Sequence, residues 1–461
     1  MRTKVTMLFI LFSLTCPFVL LATHNKAGEI RFKQIAPNTL RAWVITYTKA
    51  SSVAADRDTI TLCWGDGFCE RLARINGPGN PPQGELIGND TKKNIYTGTH
   101  IYANPGFYTL SMLDPNRNSG IVNVNPPNSD QVQFCIQSKA TVFDEDVPNS
   151  SPILLETPID FGILGSPFYH TPNAHDADGD SLVYELAVPL QDVDTEVPNY
   201  IPLTFIGAGV ENQLFLDAFT GLLTWDSPQF PGEYNIAIKI SAYRNGILME
   251  EVIRDMQILV IEALNLAPAL LLSENQGVII EAHIGDMVII QVEGNVQEPN
   301  QTIELTATSG LLTEVENPAS FTASPPGEIV TGTFNWLVQE NHARQAPYQI
   351  VFKLKDDYPD ASYAVFGILN YRVSSTSSDQ GVAIEQGPIL FPNPVRQGQV
   401  IRFNNWPGAM HYQLFTANGQ LLESGMIHEP VLDMVTLGTG LYVLVLERDG
   451  HRLFYSFISL E

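Results

Sequence analysis

Asp176, Asp178 and Asp180 alternate along a five-residue stretch that also holds Gly179, and no other part of the 461-residue sequence concentrates so much chemistry. Three carboxylates at every second position, with a glycine to let the chain turn, can wrap one hard cation in oxygen ligands. Calcium takes about 6–8 oxygens, so this turn alone is incomplete. Asp144, Asp146, Asp192 and Asp194 are the acids to consider as partners. An EF-hand is excluded, because the twelfth position counted from Asp176 is Ala187 rather than Glu. A solvated acidic turn is the competing reading, and both stay open. His170 and His175 lie nearby in the chain, but no third histidine or cysteine at ligand spacing joins them for a transition metal.

Cysteine chemistry is sparse. Cys63 and Cys69 bracket Trp64-Gly65-Asp66-Gly67-Phe68, a tight-turn sequence, and could face each other across a hairpin as a disulfide. Alternatively these two and Cys135 are buried small apolar residues. Their spacing is not that of a zinc site. No GxSxG elbow, HExxH, P-loop or Rossmann fingerprint occurs. Paired carboxylates of a glycosidase can lie far apart in a sequence, so a secreted hydrolase with an inter-domain site stays as an alternative.

The elements that must position these residues are strands. Alternation of apolar and polar residues recurs throughout, as in 41–47, 234–240 and 441–446, with no sustained 3.6-residue period. Turn pairs punctuate it at short intervals: Asp66-Gly67, Pro105-Gly106, Pro231-Gly232, Asn245-Gly246, Asn418-Gly419 and Asp449-Gly450. The predicted fold class is all-β, with tandem immunoglobulin-like β-sandwiches ending in a small sandwich. A formal charge of −25 argues against nucleic acid as a partner, and 44% hydrophobic residues argue against whole-chain disorder.

Residues 1–22 read as a secretory signal peptide, with Arg2 and Lys4 before the apolar run of Met7 to Leu21; lipidation of Cys16 is the competing reading. No later stretch is long and apolar enough to span a membrane as a helix. Segments at 23–140, 141–263, 264–375 and 376–461 follow, separated by short connectors and differing in charge. Residues 141–263 hold 20 acidic side chains against 3 basic ones, which is where a cation site should be sought. The second and third segments are cousins. Thr220-Gly221 precede Trp225 and Thr331-Gly332 precede Trp336 at an offset of 111, and Tyr234, Lys239 and Ile240 match Tyr348, Lys353 and Leu354 at an offset of 114. Each Trp is expected to anchor a core. Leu164-Gly165 corresponds loosely to Ile284-Gly285. In the third segment the acidic triad is replaced by Gln297-Glu298-Pro299-Asn300-Gln301, so any cation site is not repeated.

Three resemblances follow from these motifs. Trp64-Gly65-Asp66-Gly67, Thr99-His100-Ile101-Tyr102 and Pro105-Gly106-Phe107-Tyr108 resemble a PKD-type sandwich, and the start at Thr23 to Ile30 with 114–118 looks like gliding-motility-associated surface proteins of Bacteroidetes. Read from the residues themselves, Asp66 is expected to cap its turn rather than catalyse and His100 to pack in a strand rather than serve as a ligand. The stretch from Asp176 to Leu182 resembles the turn of cadherin-like bacterial repeats, which implies calcium at Asp176, Asp178 and Asp180. Pro392-Asn393-Pro394, Gly419, and Gly438-Thr439-Gly440-Leu441-Tyr442 together resemble the carboxy-terminal sorting domain of the type IX secretion system, with Arg448 and Arg452 where the family usually carries Lys. Taken together they imply a non-enzymatic secreted or surface protein, active in adhesion, as a scaffold or in gliding. Its partners would be the type IX machinery and a surface protein or glycan. A glycan-binding role is the nearest alternative.

Overall fold

The structure is a computed structural model. It describes residues 25–377 apart from 53–55, 208–211 and 360, and residues 389–460 apart from 392–394, 397–399, 405–407, 417–420, 434–436, 439 and 449–450. The signal-peptide expectation, Pro392, Asn393, Pro394 and Gly419 therefore lie outside the described residues. The chain divides into two compact units, 1–378 and 379–461.

Strands dominate both units; among the described residues the α-helix content is one turn, Gly310–Thr313. No described helix is long and apolar enough to cross a membrane. The all-β sandwich expectation holds, for the physical reason anticipated: period-two burial along strands cut by glycine and asparagine turns. At Asn245-Gly246 both residues take positive φ, 53° and 80°, closing a two-residue hairpin. In this turn the backbone twist matches that of the flanking strands.

That hairpin organises the first unit. Its arms, Gly232–Arg244 and Ile247–Ile261, pair along their whole length. The free edge of Ile247–Ile261 then does something the charge-based segmentation did not anticipate. It pairs with Phe134–Val142 through Glu250–Val252 and with Asn25–Ala36 through Asp255 and Met256. One sheet thus runs from Cys69–Ala73 through Thr59–Cys63, Gly106–Asp114, Phe134–Val142 and Ile247–Ile261 to Asn25–Ala36, Thr39–Lys49, Thr91–Ile101 and Glu85–Gly88. It crosses the position between 140 and 141 where a segment border was expected. Ala27, Ile45 and Tyr47 accordingly pack in the same core as Trp225, Tyr234 and Ile258.

Charges are buried along this shared strand. Arg254 forms a two-pronged pair with Glu29, and Arg117 with Asp255, all at most 2% exposed. Farther along the chain, Lys353 donates to Asp160 at 2.7 Å, joining the third segment to the second.

The kinship of the second and third segments is structural. Trp225 and Trp336 are both buried, with Tyr234 and Tyr348 edge-on at 5.0 and 5.9 Å. Gly165 and Gly285 both take positive φ, and their N–H groups donate to Pro228 and Val338, just past each Trp. In each segment an early strand runs parallel to the last one: Phe161–Ile163 beside Leu259–Ile261, and Ile279–Ile284 beside Ala364–Ser377. The third segment closes as two four-stranded sheets around Trp336, Phe334 and Phe352.

In the second unit a three-stranded and a five-stranded sheet enclose Ile401, Phe403, Leu414, Leu444 and Leu446. Gly440 opens the Gly440–Arg448 strand, and Tyr442 is buried with its hydroxyl donating to Gly438 O at 2.9 Å.

Candidate metal centre

The acidic turn lies between the Ala174–His175 and Ser181–Ala187 strands. Gly179 has φ +81°, a conformation that side chains disfavour. Asp176 Oδ1 accepts the backbone N–H groups of Asp178 and Asp180, both at 2.9 Å, which folds the turn around its own first carboxylate. Sheet register does the rest. Leu182 pairs with Ala242, and Ala242 with Glu250, so these three share one face. Asp180, two residues before Leu182, points the same way.

The result is a cluster that combines turn and strand. One oxygen from each of Asp176, Asp180 and Glu250 lies within 4.8 Å of the others. The three residues are 1%, 3% and 0% exposed. Asp176 Oδ2 and both Glu250 carboxylate oxygens have no hydrogen-bond partner. Asp180 is held by Arg244, Nε to Oδ1 at 2.7 Å and Nη2 to Oδ2 at 2.8 Å. Asp178 is turned to other work: its Oδ2 accepts the Ser150 N–H at 2.6 Å and lies 3.7 Å from Arg244. Around the rim, Arg244 Nη1 donates to Pro148 O and Arg344 Nη1 to Asp176 O.

Electrostatics shows how unbalanced the cluster is. Burial, followed by the charges of Asp176, Asp180 and Asp178, pushes the Glu250 carboxyl up to about 10. Burial pushes Asp176 up to about 7, with the Asp180 N–H opposing and the Asp180 and Asp178 charges adding. Buried carboxylates of this kind either hold protons or take a cation. An all-oxygen donor set suits a hard divalent ion such as calcium.

Sequence reasoning found Asp176 and Asp180 and missed Glu250. Asp144, Asp146, Asp192 and Asp194 do not join the cluster; Asp194 accepts from Gln137 and pairs with Lys139. The missed signal was an acid inside an apolar strand, placed by the Asn245-Gly246 turn opposite the acidic loop. The histidines stay apart. His175 stacks on Tyr348 and lies under the backbone of Gly310, and His170 is fully buried.

The remaining candidates are placed as follows. Cys63 and Cys69 are register partners across their hairpin and form a disulfide; Cys135 is unpaired, and burial pushes its thiol up to about 12. Asp66 caps its turn through the Phe68 N–H, and His100 is stacked between Trp64 and Phe68, each 5.2 Å away.

No family model and no curated protein matches the chain. Among solved structures it is similar to four cadherin domains of Drosophila N-cadherin, at 10% identity and TM-score 0.18, over 88% of this chain and 92% of that one. The first four immunoglobulin domains of Dscam1 match at 9% and 0.17, over 85% and 96%. The CupB2 chaperone of Pseudomonas aeruginosa matches at 14% and 0.18, over 40% and 99%. At such TM-scores the fold assignment rests on the chain's own sheets.

Proposed function

We propose that the chain is a non-enzymatic modular protein of the cell exterior, serving adhesion, a scaffold or gliding, and that calcium occupies its acidic centre. The observation that carries this reading is the fusion of three sandwich segments into one body by a shared strand and buried ion pairs. Stiff tandem sandwiches suit holding surfaces at a distance, and the pairs Arg254–Glu29 and Lys353–Asp160 oppose hinging at both joints. Export would use residues 1–22 as the signal and the type IX machinery acting on the terminal domain. Support for the latter is the separate small sandwich of unit 379–461, with Tyr442 in its core. The protein would then be secreted or held on the outer surface.

The test is export in a host that carries that system. A fluorescent protein preceded by residues 1–22 and followed by residues 379–461 should reach the outside, and retention in the periplasm sinks the sorting role. A screen of polysaccharide and peptide substrates should show no turnover above background.

One observation favours glycan binding as a second reading. A cleft of about 630 Å³ gathers Lys49, Asn89, Phe161, Gln257 and Tyr358 from all three segments. Ring faces beside polar groups suit a sugar. A glycan array without hits removes it.

A further inference from the structure

We propose that Glu250, and not Asp178, completes the cation site with Asp176 and Asp180. This rests on the reading that the acidic centre takes a hard divalent ion, and it names the ligands.

Glu250 is 0% exposed and neither of its carboxylate oxygens meets a hydrogen-bond donor. Its strand is otherwise apolar or paired at buried positions: Met249, Val252 and Met256 pack, while Arg254 and Asp255 have opposite charges beside them. Structure alone gives no use for an unpartnered acid at 250. Asp176 Oδ2 is equally without a donor, because only Oδ1 is spent on the turn. Two separate elements, a loop and a strand, thus aim unsatisfied oxygens at one point.

Asp180 can share in the site although Arg244 grips it. Each carboxylate oxygen has more than one acceptor direction, so an arginine on one side leaves room for a cation on the other. Arg244 offsets one of four carboxylates, counting Asp178, and a divalent ion offsets two more. Asp178 stands outside the group, its oxygen holding the Ser150 N–H of the connector. Water completes the shell, as calcium tolerates in irregular sites where magnesium demands an octahedron.

Ligation by Glu250 has a mechanical meaning that ligation by Asp178 lacks. Glu250 pairs through its backbone with Ala140 of the first segment. A cation held there ties the acidic loop of the second segment to the strand that joins it to the first.

The experiment uses the full chain and two variants, with calcium calorimetry and melting temperature in calcium and in chelator. Wild type should bind one calcium in this site and melt higher with it. Glu250→Gln should weaken that binding by roughly tenfold or more, since ligand charge sets affinity. In chelator it should melt no lower than wild type, because the amide keeps the carboxyl's shape and breaks no hydrogen bond, so lost binding cannot be mistaken for unfolding. Asp178→Asn should bind within a few-fold of wild type. Wild-type affinity in Glu250→Gln overturns the ligand assignment while leaving the cation reading standing. Loss in Asp178→Asn with retention in Glu250→Gln overturns it in favour of the linear motif. No calcium binding by wild type overturns the cation reading itself.

Discussion

The second and third segments share a skeleton and differ in how they treat carboxylates at one equivalent place. Both have a buried Trp with a Tyr edge-on to it, and both begin a strand just after the loop in question, at Ser181 and at Ile303. In the third segment the acids in and beside this loop are satisfied by protein: Glu298 of the loop accepts from the Leu266 N–H and from Gln301. Asp356 accepts from the Tyr358 and Tyr363 N–H groups and from Asn265, whose own amide oxygen accepts a hydrogen bond from Gln301. Asp357 accepts both the N–H and the hydroxyl of Thr302. In the second segment Asp176 and Glu250 retain oxygens with no donor. One fold can therefore close the same loop with amides or leave it open for an ion. Counting acidic residues does not separate the two cases; counting satisfied oxygens does.

The largest expected effect tests whether the skeleton is truly shared. Trp225→Ala and Trp336→Ala should each cost about 3–5 kcal/mol in denaturant unfolding. A loss in one alone would break the equivalence. Calcium comes next: at a hundredfold excess over its dissociation constant it should add about 2.7 kcal/mol, and the gain should fall on the second segment and its shared strand, not on the third segment. Hydrogen exchange followed in both segments, with calcium and with chelator, locates it. A third change sharpens the contrast from the other side. Asn265→Asp removes the donor to Asp356 and should cost about 1–3 kcal/mol, in calcium and chelator alike. Rescue by calcium would mean that the third loop can bind an ion after all.

The smallest effect concerns pH. Burial, then the charges of Arg254 and Lys353, hold His170 well below the usual imidazole value. The folded state keeps it neutral, whereas the unfolded chain takes up a proton below about pH 6.5. Its contribution is thus fully present above that pH and is lost as pH falls. His170→Leu should flatten the decline by up to about 1.4 kcal/mol per pH unit, read as the difference from wild type so that the acidic residues cancel.

Much of this was legible in the sequence because it is local. Period-two alternation and the Asn245-Gly246 turn specify strands and a hairpin without reference to distant residues. The spacing of Thr-Gly, Trp and Tyr exposes the repeat, since a core anchor must sit at a fixed distance from its turn. Cys63 and Cys69 face each other because a short hairpin leaves them little choice. Glu250 was not legible, since its meeting with Asp176 depends on the register of three strands. The shared strand was hidden for a similar reason. The Asn245-Gly246 turn tells that Ile247–Ile261 returns along Gly232–Arg244, but not that its other neighbours lie in the first segment. Asp144 and Asp194 were drawn in by proximity in the chain, which a loop need not respect.

The shared strand also sets an order of events. Glu29 and Arg254 are 225 residues apart, yet they meet in one buried pair. A ribosome must finish most of the first unit before its opening strand finds this neighbour. Such distant closure slows folding and leaves strand edges bare meanwhile. The Gly232–Ile261 hairpin therefore acts as a clasp: until it arrives, the opening strand lacks the neighbour that fastens it on that side.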